Sequence, residues 1–244
     1  MTNYKCIVEY DGARFYGWSK QPERRTVQGE IEKALFSVFK SEISVICAAR
    51  TDKGVHAAKQ TINFKSARFI PAGKLIIRLN SLLTNDVSVK RIQEVPESFD
   101  ARKCAIEKTY IYRIYNNPIR SSLYRNHFWH ISKPLDMEKM KKAASFLTGK
   151  KDFAVFDSYN SVFNYKTADL KEIKIIKKGA FADIYVTGDR FLYKMVRKIA
   201  GELVRTGQGK QTPEGLREAV IKKDKSKIGK PAPPYGLYLA KIRY

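Results

Sequence analysis

The chain is short of cysteine, histidine and acidic residues, and it has no long apolar run. Its three cysteines, Cys6, Cys47 and Cys104, are odd in number, far apart and never in a C-x-x-C pair. That excludes a disulfide framework and a cysteine zinc site. Such usage fits a reducing cytoplasm. The three histidines, His56, His127 and His130, show no metal-ligand spacing. His127 and His130 flank Trp129 and suit aromatic-rich packing, so no metal is expected. No stretch approaches the roughly 18 apolar residues of a membrane span. The first residues, Met1–Tyr10, lack the apolar core of a signal peptide. A cytoplasmic protein with no membrane partner is expected. The GxxxxGK[ST] phosphate loop, HExxH and GxSxG are missing too, and nothing indicates a nucleotide or another small-molecule cofactor.

Negative charge is the scarcest commodity. The 244 residues carry 24 Asp+Glu against 47 Lys+Arg, a formal net charge of +23. The surplus is uneven: residues 1–100 hold 16 basic and 11 acidic side chains, residues 101–244 hold 31 and 13. A surplus this large favours a polyanionic partner, because each neutralised phosphate releases counterions. A solvated face or a membrane surface is the plainer alternative from charge alone. A hydrophobic content of 43% with 12% aromatics supports a packed core and excludes disorder as the main state. The length fits one large or two modest domains.

Periodicity places the elements. Tyr4, Cys6, Val8 and Tyr10 alternate on one face of a strand, and Asp11–Gln21 is a glycine-containing loop. From Thr26 a helix follows, with Val27, Ile31, Ala34, Leu35 and Val38 at helical spacing and early carboxylates favouring its dipole. Ile43–Ala49 and Lys59–Lys65 are expected strands, separated by the loop Arg50–His56. A helix over Pro71–Leu83, with Leu75, Ile76, Leu79, Leu82 and Leu83 apolar, precedes a strand at Val87–Val95. Ile106–Tyr115 alternates again, and Asp136 caps a helix to Leu147. Strands near 170–177 and 181–187 form a hairpin at Lys178-Gly179, followed by helices at about 191–206 and 213–223. A last strand is expected at Leu237–Arg243. Mixed order of this kind points to α+β with a largely antiparallel sheet.

The loop RTDKGVH, Arg50–His56, is the most unusual local feature. Gly54 permits a tight turn, and Thr-Asp-Lys-Gly is ordinary turn chemistry in which Arg50 need only pair with Asp52. The functional alternative is a carboxylate at a strand end, held ionised by guanidinium groups.

The stretch Ala49-Arg-Thr-Asp-Lys-Gly-Val-His-Ala57 resembles the active-site loop of the tRNA pseudouridine synthase A family, usually ARTDAGVHA, with Lys53 in place of the common alanine. Phe15-Tyr-Gly-Trp18 with Gln21-Pro22 and Arg25-Thr-Val-Gln-Gly-Glu30 is similar to that family's N-terminal signature. Phe99-Asp-Ala-Arg102 and Lys108-Thr-Tyr-Ile-Tyr112 resemble its second motif. Phe191-Leu-Tyr-Lys-Met-Val-Arg-Lys-Ile-Ala-Gly201 resembles the third, and Ala232-Pro-Pro-Tyr-Gly-Leu-Tyr-Leu239 the C-terminal block. The agreement runs in order from about residue 4 to 243.

The resemblance implies a pseudouridine synthase fold: two α+β subdomains, 1–103 and 104–244, sharing a central, mostly antiparallel sheet with a basic cleft. It implies cofactor-free isomerisation of uridine to pseudouridine in tRNA, at positions 38, 39 and 40 of the anticodon stem-loop, by a homodimer. Asp52 matches the catalytic aspartate, acting as nucleophile or base. Tyr110 matches the tyrosine that stacks on uracil and is a candidate base for the C5 proton. Arg197 matches the arginine that pairs with the aspartate. On a helical wheel it borders a polar stripe of Lys194, Lys198, Glu202 and Arg205, where a snorkelling surface arginine is the alternative. Arg50 corresponds to the residue linked to base flipping, and Leu237 to a uracil-pocket residue. Arg14, Lys20, Arg24, Arg25 and Arg102 are candidate phosphate contacts. A noncatalytic RNA-binding protein on the same scaffold, or a synthase for another RNA site, is the alternative.

Overall fold

The computed structural model describes residues 1–158 and 166–244. In chain order the elements are β1 (Thr2–Tyr10), α1 (Val27–Phe39), β2 (Ile46–Cys47), β3 (His56–Ser66), α2 (Ala72–Leu82), β4 (Val87–Val95) and β5 (Glu107–Asn116). They continue with β6 (Trp129–Ile131), α3 (Met137–Ser145), β7 (Gly149–Asp152), β8 (Thr167–Lys178), β9 (Phe181–Gly188), α4 (Met195–Gly207), α5 (Pro213–Ile221) and β10 (Leu237–Arg243). The class is α+β, as the mixed element order predicts. No helix among the described residues is long and apolar enough to cross a membrane.

The chain forms two compact units: Met1–Ile106 together with Leu239–Tyr244, and Glu107–Tyr238. A plain division of the sequence into 1–103 and 104–244 leaves the last strand in the second half, whereas Leu239–Tyr244 belong to the first unit. Hydrogen bonding explains the difference, because a strand joins the edge that takes its N–H and C=O groups, not the segment preceding it in the chain. β10 pairs with β3, the Ile106 N–H donates to the Arg243 carbonyl at 2.8 Å, and the Tyr244 hydroxyl donates to the Ala101 carbonyl at 2.9 Å.

In the first unit the strand order is β4-β1-β3-β10, with β2 also on β3. β1 is antiparallel to both β3 and β4. Its predicted face is the buried one: Tyr4, Cys6, Val8 and Tyr10 are all inside. Tyr4 opposes Phe64 across the ladder, with ring centroids 5.3 Å apart. Burial pushes the Cys6 thiol above its ordinary range, which leaves it a packing residue. α1 begins where its cap predicts, with Thr26 Oγ1 accepting from the Gly29 N–H at 3.3 Å, and its apolar stripe is buried. Each such aliphatic side chain contributes about 1.5–3 kcal/mol on full burial. α2 is more one-sided than expected: Leu75 and Leu79 are buried, but Leu82 is exposed.

In the second unit the order is β5-β9-β8-β7, with short β6 parallel to β5. The β8–β9 hairpin turns at Gly179-Ala180, where Gly179 takes a φ of +58° that glycine adopts without steric penalty. α3 is capped by Asp136, whose Oδ1 accepts from the Lys139 N–H at 3.0 Å. That bond is the first of the interactions holding the carboxyl below its ordinary range.

α4 departs from the helical-wheel reading. Lys194 is not in the helix but caps it with a φ of 59°. Glu202, expected on a solvated stripe, is buried. There it accepts from Arg205 Nη1 at 2.9 Å and from the Gly229 N–H at 2.6 Å. A buried carboxylate survives because those donors replace its water.

Candidate active site

The RTDKGVH loop is held on several sides by the first unit. At its start, the buried Gln60 side chain of β3 grips the Ala49 peptide, donating to its carbonyl at 2.6 Å and accepting from its N–H at 3.4 Å. A side-chain amide therefore does what a neighbouring strand would do. With the Val45 N–H taken by Glu32 Oε1 at 3.2 Å at the other end, the expected strand Ile43–Ala49 contracts to Ile46–Cys47. Thr51 comes next, buried, with Oγ1 2.8 Å from the Tyr10 hydroxyl. β1 is bulged between Val8 and Tyr10, and such a bulge re-aims the side chain beyond it.

Asp52 opens a turn in which its carbonyl accepts from the Val55 N–H at 3.1 Å. The third position of that turn is Gly54, with φ +78°, a geometry that favours glycine. The carboxylate side chain is half-buried. His56, at the far end, is buried and is the first residue of β3, not the last of the loop. Its Nδ1 accepts from the Gly12 N–H at 3.1 Å.

The segment Gly12–Trp18 forms the other wall. The Trp18 N–H donates to the Thr51 carbonyl at 3.0 Å, and the Gly54 N–H donates to the Phe15 carbonyl at 3.3 Å. Phe15 and Trp18 are buried. Two glycines allow the approach. A Cβ on Gly12 would lie 2.0 Å from the Val55 carbonyl oxygen. Gly17, at φ +95°, would place one 2.7 Å from the Thr51 carbonyl oxygen and 3.1 Å from both Asp52 C and Lys53 N. The backbone carrying Asp52 is thus enclosed by backbone. None of Tyr10, Gly12, Gly17, Thr51 or Gln60 is legible as a site residue from composition or spacing. The signal that could have found the glycines is their place in the Asp11–Trp18 stretch.

The other basic candidates of this unit differ in their commitments. Arg25 is occupied: it bonds both Asp86 carboxylate oxygens at 2.7 Å, Glu30 at 3.1 Å and Thr84 at 2.8 Å. Its guanidinium carbon also lies 4.2 Å from the Phe15 ring centroid. The hydrogen bonds to Asp86 raise the pKa of Arg25 and lower that of Asp86. These bonds tie the Phe15–Arg25 segment to the residue that precedes β4. Lys20 is exposed and lies 3.6 Å from Glu32. Arg24 is exposed and bonded to the Tyr16 hydroxyl at 3.2 Å. Arg14 ends a short 3-10 turn, Gly12–Arg14, and is exposed, as are Arg50 and Arg102. The Arg102 N–H donates to the Asp100 carboxylate at 2.8 Å.

In the second unit three separated motifs converge. Tyr110, on β5, is 8% exposed and meets Phe191 edge-on, with centroids 5.0 Å apart. Tyr112, two residues on, donates to the Pro233 carbonyl at 2.8 Å. A Cβ on Gly236 would lie 2.8 Å from its ring, and burial pushes its phenol well up. Arg197 of α4 is half-buried, and its Nε donates to the Ala232 carbonyl at 2.8 Å. The Ala232 N–H donates back to the Arg197 carbonyl at 3.0 Å. The guanidinium is therefore anchored, which a snorkelling side chain is not. Leu237 is buried at the start of β10. The structure thus joins Tyr110–Tyr112, Phe191–Arg197 and Ala232–Gly236, blocks that are far apart in the chain.

A family model described as tRNA pseudouridine synthase matches residues 6–102 and 143–244, a span that includes Asp52, Arg197 and Leu237 but not Tyr110 or Tyr112. Full-length relatives agree. A tRNA pseudouridine synthase A from Thermoanaerobacter sp. is 42% identical over 244 residues, covering 100% of both chains. A tRNA pseudouridine synthase A 2 from Clostridium perfringens is 39% identical with the same coverage. One from Bacillus licheniformis is 39% identical over 242 residues, covering 98% of each. With similarity that spans the whole length and includes the loop around Asp52, the chain belongs to the tRNA pseudouridine synthase family.

Proposed function

We propose that this chain isomerises uridine to pseudouridine in the anticodon stem-loop of tRNA, at positions 38, 39 and 40, with Asp52 as the catalytic carboxylate. In that reaction the N1–C1′ bond breaks, the uracil turns, and C5 is joined to the same sugar carbon. C5 gives up a proton and N1 finishes with one, so atoms balance without oxidant or reductant. An ionised carboxylate serves whether it adds to the substrate as nucleophile or takes a sugar proton as base.

The target base lies in structured RNA and has to be extruded, at a cost of a few kcal/mol. Arg50 fills the space it leaves. Tyr110 stacks on the uracil, an interaction worth about 1–3 kcal/mol. Arg197 pairs with the Asp52 carboxylate in the tRNA complex, and Leu237 lines the uracil pocket. Arg14, Lys20, Arg24 and Arg102 meet phosphates. The enzyme works in the cytoplasm as a homodimer, and its +23 charge gathers the polyanionic substrate.

The observation that carries this reading is the enclosed turn. Backbone groups fixed by Gly12–Trp18 and Gln60 hold a half-buried Asp52 in one position, and such preorganisation serves chemistry more than binding. The test is incubation with unmodified tRNA transcripts and mapping of pseudouridine at single-nucleotide resolution, beside Asp52→Ala. Product is expected only from the native protein, with tRNA binding retained by the variant. Product from Asp52→Ala at the native rate would remove the catalytic assignment. Native protein that binds tRNA but makes no product would be a noncatalytic RNA-binding protein.

A further inference from the structure

Lys53 is where the active-site loop departs from the family pattern, and its side chain is not idle. Its ammonium lies 3.9 Å from the centroid of the Tyr16 ring. The Arg24 guanidinium carbon lies 4.6 Å from the same centroid, and Arg24 Nη1 donates to the Tyr16 hydroxyl at 3.2 Å. All three residues are exposed, Tyr16 at 36%. Among the described residues neither cation is in an ion pair. Two like charges gathered on one ring repel each other, and the ring's negative face offsets that repulsion only in part. An anion between them would relieve the rest.

The frame beneath them is fixed. The Tyr16 N–H donates to the Arg25 carbonyl at 2.9 Å, and Gln21 Nε2 donates to the Tyr16 carbonyl at 3.2 Å. Gln21 and Arg24 are bridged across a turn in which Glu23 takes a φ of 55°. Lys53 follows Asp52 directly, in the turn closed over Gly17.

We propose that Lys53, Tyr16 and Arg24 form a phosphate clamp for the RNA strand bearing the target uridine, gripping the backbone beside the extruded nucleotide. The proposal rests on the pseudouridine synthase reading and adds Lys53 and Tyr16 to it. The ring is the platform, the two cations are the donors, and the clamp acts on RNA binding more than on bond making.

The experiment compares Lys53→Ala, Tyr16→Leu and Tyr16→Phe with the native enzyme. Lys74→Ala, an exposed lysine on α2, controls for the loss of one charge. Binding of unmodified tRNA transcript is measured across a salt series, and pseudouridine formation is followed for KM and kcat. Lys53→Ala should weaken binding about 3–10-fold near 0.1 M salt and reduce the slope of log K against log salt by about 0.7–0.9, the value for one phosphate contact. The loss should fall on KM. Tyr16→Leu keeps both charges yet should bind several-fold more weakly, and Tyr16→Phe, which keeps the ring, should recover most of that. The proposal is overturned if Lys53→Ala has the native slope, if Lys74→Ala changes it equally, or if Tyr16→Leu binds as tightly as native protein. Failure of the native enzyme to form pseudouridine in the same transcripts would instead remove the reaction assignment.

Discussion

Replacing Gly17 with alanine should disable the enzyme by moving the turn that carries Asp52 rather than by touching its side chain. Gly17 sits at φ +95°, where an L side chain is strained by roughly 1–3 kcal/mol. The added Cβ would also lie 2.7 Å from the Thr51 carbonyl oxygen. That neighbour is backbone, itself fixed by the Trp18 N–H at 3.0 Å, so it cannot swing aside as a flexible side chain would. Overpacking of this kind adds about 1–3 kcal/mol. The two effects together predict a destabilisation of about 2–6 kcal/mol. At about 2–4 °C per kcal/mol for a chain of this size, Tm should fall by roughly 4–24 °C. What remains folded should have Asp52 displaced, and a shift on the order of 1 Å lowers a chemical step by about 100-fold. Thermal unfolding followed by circular dichroism gives the first quantity. Single-turnover pseudouridine formation with saturating enzyme, at a temperature where the variant is folded, gives the second. A variant with native Tm and native single-turnover rate would refute the view that backbone contact at Gly17 positions the turn.

Two further outcomes follow from the same geometry. Asp86→Asn should destabilise the protein at pH 7 by roughly 1.5–3 kcal/mol, the range for hydrogen bonds to charged groups. The folded carboxyl of Asp86 is held below its ordinary value of 3.8 by Arg25, so its contribution is present above that value and lost as the pH falls through the lower folded pKa. Native and variant stabilities, measured by urea unfolding from pH 7 to pH 2, should therefore converge below about pH 4; a constant difference across that range would contradict the pairing. Arg197→Lys keeps the charge but not the Nε donor that meets the Ala232 carbonyl, and a lysine lacks the planar fork. Turnover should fall more than tRNA affinity, and equal losses in kcat and affinity would make Arg197 a phosphate contact.

Much of the fold was readable because it rests on short-range periodicity. The alternation Tyr4, Cys6, Val8, Tyr10 and the stripe Val27, Ile31, Leu35 are buried as their spacing requires. Features decided by distant partners were not readable. Ala49 looks like a strand residue, yet its peptide is satisfied by the side chain of Gln60. Glu202 looks like part of a solvated stripe, yet Arg205 and the Gly229 N–H make a buried carboxylate tolerable. The short strands β6 and β7 carry too few residues for a period to show. In the site, Asp52, Tyr110 and Arg197 came from resemblance, because residue type and spacing alone left a turn, a packed aromatic and a surface arginine as alternatives. The Arg25–Asp86 pair is unreadable for a related reason: Asp86 lies on the far side of α1, β3 and α2 in the chain.

The return of Leu239–Tyr244 to the first unit has a consequence for synthesis. The turn around Asp52 and most of its supports are translated early, but the strand that joins β3 follows only after Glu107–Tyr238. At about 5–20 residues per second, the ribosome needs on the order of ten seconds to traverse Glu107–Tyr238. During that interval the β3 edge has no β10 beside it, and the Ala101 carbonyl lacks Tyr244. An unpaired edge of that kind invites pairing with another nascent chain. The first half of this protein can therefore begin folding on the ribosome, but its sheet is completed only after Leu239–Tyr244 have been made.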